Sequence, residues 1–214
     1  CGIKISKMLS NINKINNVEG RLELVRTLPN QVKIFVDYAH TPEALKEALI
    51  SLKSYYNNVT LVFGCGGERD IKKRGLMANI ADKFCKKVFV TDDNPRNENP
   101  QKIRRKIIQN LKKVNYAEIG NRKKAISEAI KNAEPFDVIL VAGKGHETYQ
   151  DYGKKILNIS DKKIIKKYIT KISNIKKKDF VYYENSKILN KILNYNKFFK
   201  TKGVSINSKK IKKD

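Results

Sequence analysis

Cysteine, histidine and acidic residues are all scarce in this 214-residue sequence, and each scarcity removes a class of explanation. The three cysteines, Cys1, Cys65 and Cys85, are odd in number and lack the paired spacing of a metal knuckle or redox dithiol. Reduced, unpaired thiols are expected. The two histidines, His40 and His146, sit far apart with no evident thiol or hydroxyl partner, which argues against Ser-His-Asp or Cys-His machinery and against a metal site. No apolar run approaches the roughly 18 residues a membrane span needs, and nothing resembles a signal peptide. The expected compartment is the cytoplasm, with no membrane partner.

Acidic residues number 21 against 46 Lys and Arg, a formal charge of +25 that invites a nucleic-acid reading through counterion release. The distribution argues otherwise. Residues 154–214 carry nineteen Lys, no Arg and four acids, scattered among Asn and Ile without interleaved aromatic platforms. This enrichment reads as compositional drift with lysines on solvated faces, and no nucleic-acid partner is expected. The length suits one α/β domain plus a smaller attachment, and 40% hydrophobic content supports a buried core. Because the sequence starts at Cys1 and stops at Asp214 inside a lysine-rich run, a fragment of a longer chain is expected.

Short, nearly continuous apolar runs occur at 34–36, 59–63, 88–90 and 138–142, the pattern of strands buried on both faces of a parallel sheet. Between them, Ala44, Leu45, Ala48, Leu49 and Leu52, and again Ile103, Ile107, Ile108 and Leu111, repeat at helical spacing. Thr41-Pro42 and Asn99-Pro100 supply a cap and a first helical residue for these two segments. The alternation predicts an α/β fold: a Rossmann-like, mostly parallel, doubly wound sheet. Residues 22–27 and 32–37 flank Pro29-Asn30 and predict a hairpin that adds one antiparallel edge strand. A last amphipathic helix is expected from Asp161 to about Ile172, followed by a partial C-terminal unit with a short helix over 186–195.

In an open parallel sheet, ligands bind outside the carboxyl ends of the strands. Four loops fall there: Asp37-Tyr38-Ala39-His40, Gly64-Cys65-Gly66-Gly67-Glu68-Arg69-Asp70, Asp92-Asp93-Asn94-Pro95-Arg96 and Gly143-Lys144-Gly145-His146-Glu147. Singly each has a bland explanation, since glycines permit turns and Asp or Asn caps helices. Together they suit a small zwitterion: Arg69 and Arg96 can grip carboxylates, Asp93 and Glu147 can accept from ammonium groups, and Gly143 and Gly145 admit close backbone approach. Gly143-Lys144-Gly145 lacks the spacing of a phosphate-binding P-loop. Cys65 reads as a small packed residue.

At these loops the sequence resembles the Mur ligases, and in particular the branch that adds meso-diaminopimelate, over about residues 18–169. Gly20-Arg21 followed by Asp37-Tyr38-Ala39-His40-Thr41-Pro42 looks like the entry into that family's third domain. Phe63 to Asp70, Thr91 to Arg96 and Ala142 to Glu147 match its other signatures in order, and Asp93-Asn94-Pro95-Arg96 is the signature of the diaminopimelate branch. Glu19 stands where proline usually precedes Gly-Arg, and Gly75 follows Arg74 where proline is common.

The resemblance implies that Arg69, Asp93, Asn94, Pro95, Arg96, Gly143 and Glu147 bind meso-diaminopimelate, while Arg21, Asp37 and His40 face the nucleotide. It implies an ATP-dependent ligase acting on UDP-MurNAc-L-Ala-D-Glu through an acyl phosphate, with ATP and Mg2+ held mainly by a central domain outside this sequence. No catalytic or metal-ligating residue is then expected here, and the 214-residue chain alone should be inactive. Residues 1–17 would be the last helix of the central domain, 18–172 the amino-acid-binding domain, and 173–214 a linker with the start of a further domain. Lys202-Gly203-Val204-Ser205-Ile206-Asn207-Ser208-Lys209 resembles the opening of a UDP-sugar domain, as if a D-alanyl-D-alanine-adding ligase were fused behind the first, although Asn207 and Lys209 depart from the usual Asp-Ser-Arg. The alternatives are a folylpolyglutamate-synthetase-like ligase, which shares the Asp and His of the first loop, and a basic nucleic-acid-binding module.

Overall fold

The computed structural model describes residues 18–168. The expected helix within 1–17 and the unit at 173–214 lie outside the described residues, and the last helix is described over 161–168.

The chain runs β1 (Glu23–Thr27), β2 (Lys33–Asp37), α1 (Pro42–Lys53), β3 (Val59–Phe63), α2 (Lys72–Phe84), β4 (Lys87–Val90), α3 (Pro100–Ile108), β5 (Asn115–Glu118), α4 (Arg122–Lys131), β6 (Val138–Ala142), β7 (Tyr149–Asp151) and β8 (Ile156–Asn158). Six strands form one sheet in the order β1-β2-β6-β3-β4-β5. Only β1 pairs antiparallel, against β2; the other four pairings are parallel. The expected architecture is thus present, with β6 returning between β2 and β3 after the chain has laid out β4 and β5 on the far side.

Every residue of β3 and β6 is buried, because helices cover both faces of the sheet. Strand alternation then sorts neighbouring residues into two separate cores. Leu61, Phe63, Leu140 and Ala142 join Leu45 and Leu49 of α1, Met77 of α2 and Ile107 of α3 on one face. Val62, Ile139 and Val141 join Ile126 and Ala129 of α4 and Ile165 of the final helix on the other. A one-residue slip in β6 would exchange the two sets, so packing on both faces holds its register.

Helix starts follow the caps read from sequence. Thr41 accepts from the Ala44 amide at 3.3 Å, and Asn99 from the amides of Gln101 and Lys102 at 2.9 and 3.2 Å. Proline occupies the opening turn of each of these helices, where its missing amide proton costs nothing. The antiparallel pair β7-β8 forms a small second sheet of three-residue strands directly after the fourth loop.

Candidate functional site

The four loops leave the carboxyl ends of β2, β3, β4 and β6 on the same edge, and a cavity of about 600 Å3 opens among them. Its lining includes Arg69, Asp93, Asn94, Arg96, Gly143, Glu147 and His40. Pro95, Arg21 and Asp37, also singled out from the sequence, do not line it.

Asn94 is the hub. Its Oδ1 accepts from Lys144 Nζ at 2.9 Å and from the Asp151 amide at 3.0 Å, so its Nδ2 is turned to donate to Glu147 Oε2 at 3.2 Å. Lys144 Nζ also donates to Glu147 Oε2 at 2.8 Å and lies 5.2 Å from the centre of the Tyr149 ring. The Lys144 side chain is 1% exposed. An ammonium so enclosed is not presented to a phosphate, which accords with the missing P-loop spacing.

Asp93 has a divided role: Oδ1 accepts from the Asn94 amide at 2.8 Å, while Oδ2 is buried with no hydrogen-bond partner among the described residues. Gly143, at φ +110°, lies against that free oxygen, and a Cβ there would come within 2.8 Å of it. Any side chain at this position would crowd that oxygen, which is why a glycine fits here.

The Arg96 backbone sits at φ +53°, a region that strains any residue with a Cβ. Its amide donates to Asp151 O at 2.9 Å and its Nη1 to Gly67 O at 2.7 Å, which leaves Nε and Nη2 without a protein acceptor among the described residues. Arg69 is exposed, and its guanidinium has no partner among the described residues. The guanidinium groups of Arg69 and Arg96, with donors still free, and the carboxylates of Asp93 and Glu147 therefore border one cavity. Such a set can pair with a ligand carrying both carboxylates and ammonium groups.

On the first loop, the Asp37 carboxylate accepts from the backbone amides of Leu22 and Ala39 and is buried. It braces the turn, with one backbone amide on each oxygen. Arg21 is exposed and stacks 4.7 Å above the Tyr38 ring, while His40 meets that ring edge-on and bonds through Nδ1 to Tyr38 O at 2.9 Å. Gly20 packs so closely on the fourth loop that a Cβ would lie 2.4 Å from the His146 amide nitrogen.

Three arginines, Arg74 and Arg122 buried and Arg104 half-buried, hold these loops without having been given a role from the sequence. Arg74 of α2 makes a two-pronged pair with Glu98, both contacts at 2.7 Å, and donates to Gly66 O at 3.2 Å, so it ties the second loop to the third. The arginine holds the Glu98 carboxyl below its usual range against the opposing effect of burial. Arg122, at the start of α4, pairs with Asp161 at 2.8 and 2.7 Å with both side chains fully buried, and donates to Ala142 O at 3.0 Å, one residue before Gly143. Arg104 pairs with Asp92 and with Glu118, and Asp92 also accepts from Tyr152 of the β7-β8 turn at 2.9 Å. Helical spacing that puts a long cation on an apolar face is the signal that marks such residues.

Cys65 lines the cavity but is 3% exposed, with its sulfur 3.9 Å from that of Met77. Burial pushes its thiol up to about 12, so it packs as a small apolar residue and is no nucleophile at neutral pH. Among the described residues no group of three or more His, Cys, Asp or Glu is arranged to hold a metal ion, and no helix is long and apolar enough to cross a membrane.

A family model described as Mur ligase, glutamate ligase domain, matches residues 20–145. The chain is 43% identical over 175 residues to the UDP-N-acetylmuramoyl-L-alanyl-D-glutamate--2,6-diaminopimelate ligase of Rickettsia typhi, an alignment that covers 80% of this chain and 35% of that enzyme. The ligase of the same name from Buchnera aphidicola is 43% identical over 170 residues, covering 78% and 34%. A solved structure of a UDP-N-acetylmuramoyl-L-alanyl-D-glutamate--2,6-diaminopimelate ligase superposes with a TM-score of 0.69 at 33% identity over 80% of this chain and 36% of its own. A UDP-N-acetylmuramate-alanine ligase from Thermotoga maritima, TM-score 0.53 at 17% identity over 81% and 34%, shares the fold. The chain spans about a third of the length of these relatives.

Proposed function

We propose, on the premise that this chain belongs to the Mur ligase family, that it is the amino-acid-binding domain of an ATP-dependent ligase joining meso-diaminopimelate to UDP-MurNAc-L-Ala-D-Glu in peptidoglycan synthesis. The observation that carries this reading is that Arg69, Arg96, Asp93 and Glu147 border one cavity, whose lining also includes Lys73, Glu43 and Asp70, so cationic and acidic groups for both the carboxylates and the ammonium groups of the amino acid stand together. Arg96 takes the distal carboxylate that lysine lacks, Arg69 the other, and the carboxylates of Asp93 and Glu147 accept from the ammonium groups. Asn94 and Pro95 shape the loop that carries Arg96, and Gly143 lines the cavity without a side chain to fill it.

ATP, when bound, supplies the phosphoryl group that makes the D-glutamyl carboxylate an acyl phosphate; attack by the diaminopimelate amine then forms the amide and expels phosphate. The contribution of this domain is to hold that amine in line and to desolvate the charged ends around it. Arg21 and His40, exposed at the rim, are the residues here that suit the nucleotide side, whereas the Asp37 carboxylate is already engaged by backbone amides.

The test uses the full-length enzyme with ATP, Mg2+ and UDP-MurNAc-L-Ala-D-Glu, following phosphate release with meso-diaminopimelate or with L-lysine. Preference for diaminopimelate is expected, and preference for lysine overturns the reading. The resemblance of 202–209 to the opening of a UDP-sugar domain further supports a second ligase in the same reading frame. A stop codon shortly after Asp214 removes that part alone.

A further inference from the structure

We propose that Lys144 is the positioning residue of the amino-acid pocket: its buried ammonium sets the direction in which Asn94 and Glu147 meet the substrate. The inference rests on the ligase reading above and adds a residue to which neither the sequence motif nor the charge complement had given a role.

A lysine that is 1% exposed is expensive to keep, since removing an ammonium from water is repaid only by close, well-aimed partners. Lys144 has three: Asn94 Oδ1 at 2.9 Å, Glu147 Oε2 at 2.8 Å and the face of Tyr149 at 5.2 Å. Two of these partners line the cavity, yet Lys144 itself does not. It stands behind them.

Its effect on each follows from donor and acceptor arithmetic. Asn94 Oδ1 receives two donors, Lys144 Nζ and the Asp151 amide, and both would face an NH2 group if the amide flipped. The flip is therefore blocked, and Nδ2 stays on Glu147 Oε2. Glu147 Oε2 is in turn occupied by Lys144 and Asn94, so only Oε1 remains for a ligand ammonium. Without Lys144 the carboxylate is free to turn, and Asn94 loses one of the two donors that orient it. The cation also compensates the charge of Glu147 in a cavity that the carboxylate of Asp93 lines as well.

Steady-state kinetics of the full-length ligase test this with Lys144→Met, Glu147→Gln and the double variant. Lys144→Met is expected to raise KM for meso-diaminopimelate about ten- to a hundred-fold, the loss of one charge-assisted contact, with KM for ATP and for UDP-MurNAc-L-Ala-D-Glu within about two-fold. Because the Asp151 amide still orients Asn94 when Lys144 is lost, the Lys144 effect runs through Glu147, and the double variant should lie within about three-fold of Glu147→Gln alone. Two multiplicative single effects, or a KM for ATP that rises as much as that for diaminopimelate, overturn the proposal. Should Lys144→Met fail to fold, the double variant, which leaves no unpaired carboxylate charge, still decides the comparison with Glu147→Gln. Wild-type enzyme that rejects diaminopimelate defeats the ligase reading instead, before any variant is compared.

Discussion

Replacing Arg96 by glycine separates what its backbone does from what its guanidinium does. At φ +53° a residue with a Cβ is strained by roughly 1–2 kcal/mol, which glycine relieves. The same change removes the Nη1 contact to Gly67 O at 2.7 Å, a hydrogen bond from a charged group that contributes about 1.5–3 kcal/mol. The two terms oppose, and at about 2–4 °C per kcal/mol for a domain of this size the melting temperature should move by only a few degrees. Selectivity has no such cancellation. Diaminopimelate loses the partner of its distal carboxylate, about 1.5–3 kcal/mol, whereas lysine has no group there to lose. In the full-length ligase, kcat/KM for meso-diaminopimelate relative to L-lysine should therefore fall about ten- to a hundred-fold. An unchanged ratio would refute the assignment of Arg96 to the distal carboxylate. Equal losses for both amino acids with a large drop in melting temperature would make Arg96 a loop brace and nothing more.

Asp161→Asn should destabilise the domain by about 3–5 kcal/mol in urea denaturation, since it strands the fully buried Arg122 guanidinium; a loss under about 1 kcal/mol contradicts the pair's described burial. Gly67→Ala drives a Cβ to 1.9 Å from Pro95 O and should cost about 1–3 kcal/mol while abolishing diaminopimelate selectivity, and a wild-type melting curve would count against this loop geometry. The Cys65 thiol, raised from 9.0 to about 12 by burial, should resist a thiol reagent at pH 8 until denaturant is added, and rapid labelling of the native protein at Cys65 would argue against its burial. Its raised value carries a sign as well: above pH 9 the unfolded chain binds fewer protons than the folded one, so this stabilising contribution is full below pH 9 and is lost as pH rises towards 12. A Cys65→Ala variant should lose the Cys65 share of that alkaline slope in pH-dependent denaturation and keep the share of Cys85, whose thiol is also pushed up to about 12 by burial.

The central strands were legible because burial on both faces forces unbroken apolar runs, and 59–63 and 138–142 became β3 and β6 to the residue. The edge strand β5, Asn115–Glu118, was not read from the sequence: only one face packs against the protein, and its sequence, Asn-Tyr-Ala-Glu, carries almost no hydrophobic signal. The three-residue strands β7 and β8 are shorter than any periodicity can mark. At the site, glycines and charged residues at strand ends located the cavity, since loop position follows from strand position. What spacing did not disclose is which charges turn inward. Asp37 reads like a ligand-facing carboxylate and is buried with a backbone amide on each oxygen, and Lys144, read only as the middle of a loop without P-loop spacing, is enclosed. Those outcomes depend on partners dozens of residues away in sequence.

The loop from Asp92 to Glu98 is fastened from both flanks, by Arg74 on one side and on the other by the β7-β8 turn, through Tyr152 to Asp92 and the Arg96 amide to Asp151 O. Few of its torsions are left to freeze when an amino acid arrives, so association should show a small conformational-entropy penalty. Such a loop works as a caliper. A homologue of the substrate one methylene shorter would meet charged groups that do not follow it inward, and discrimination by chain length would come from stiffness, with no need for additional contacts.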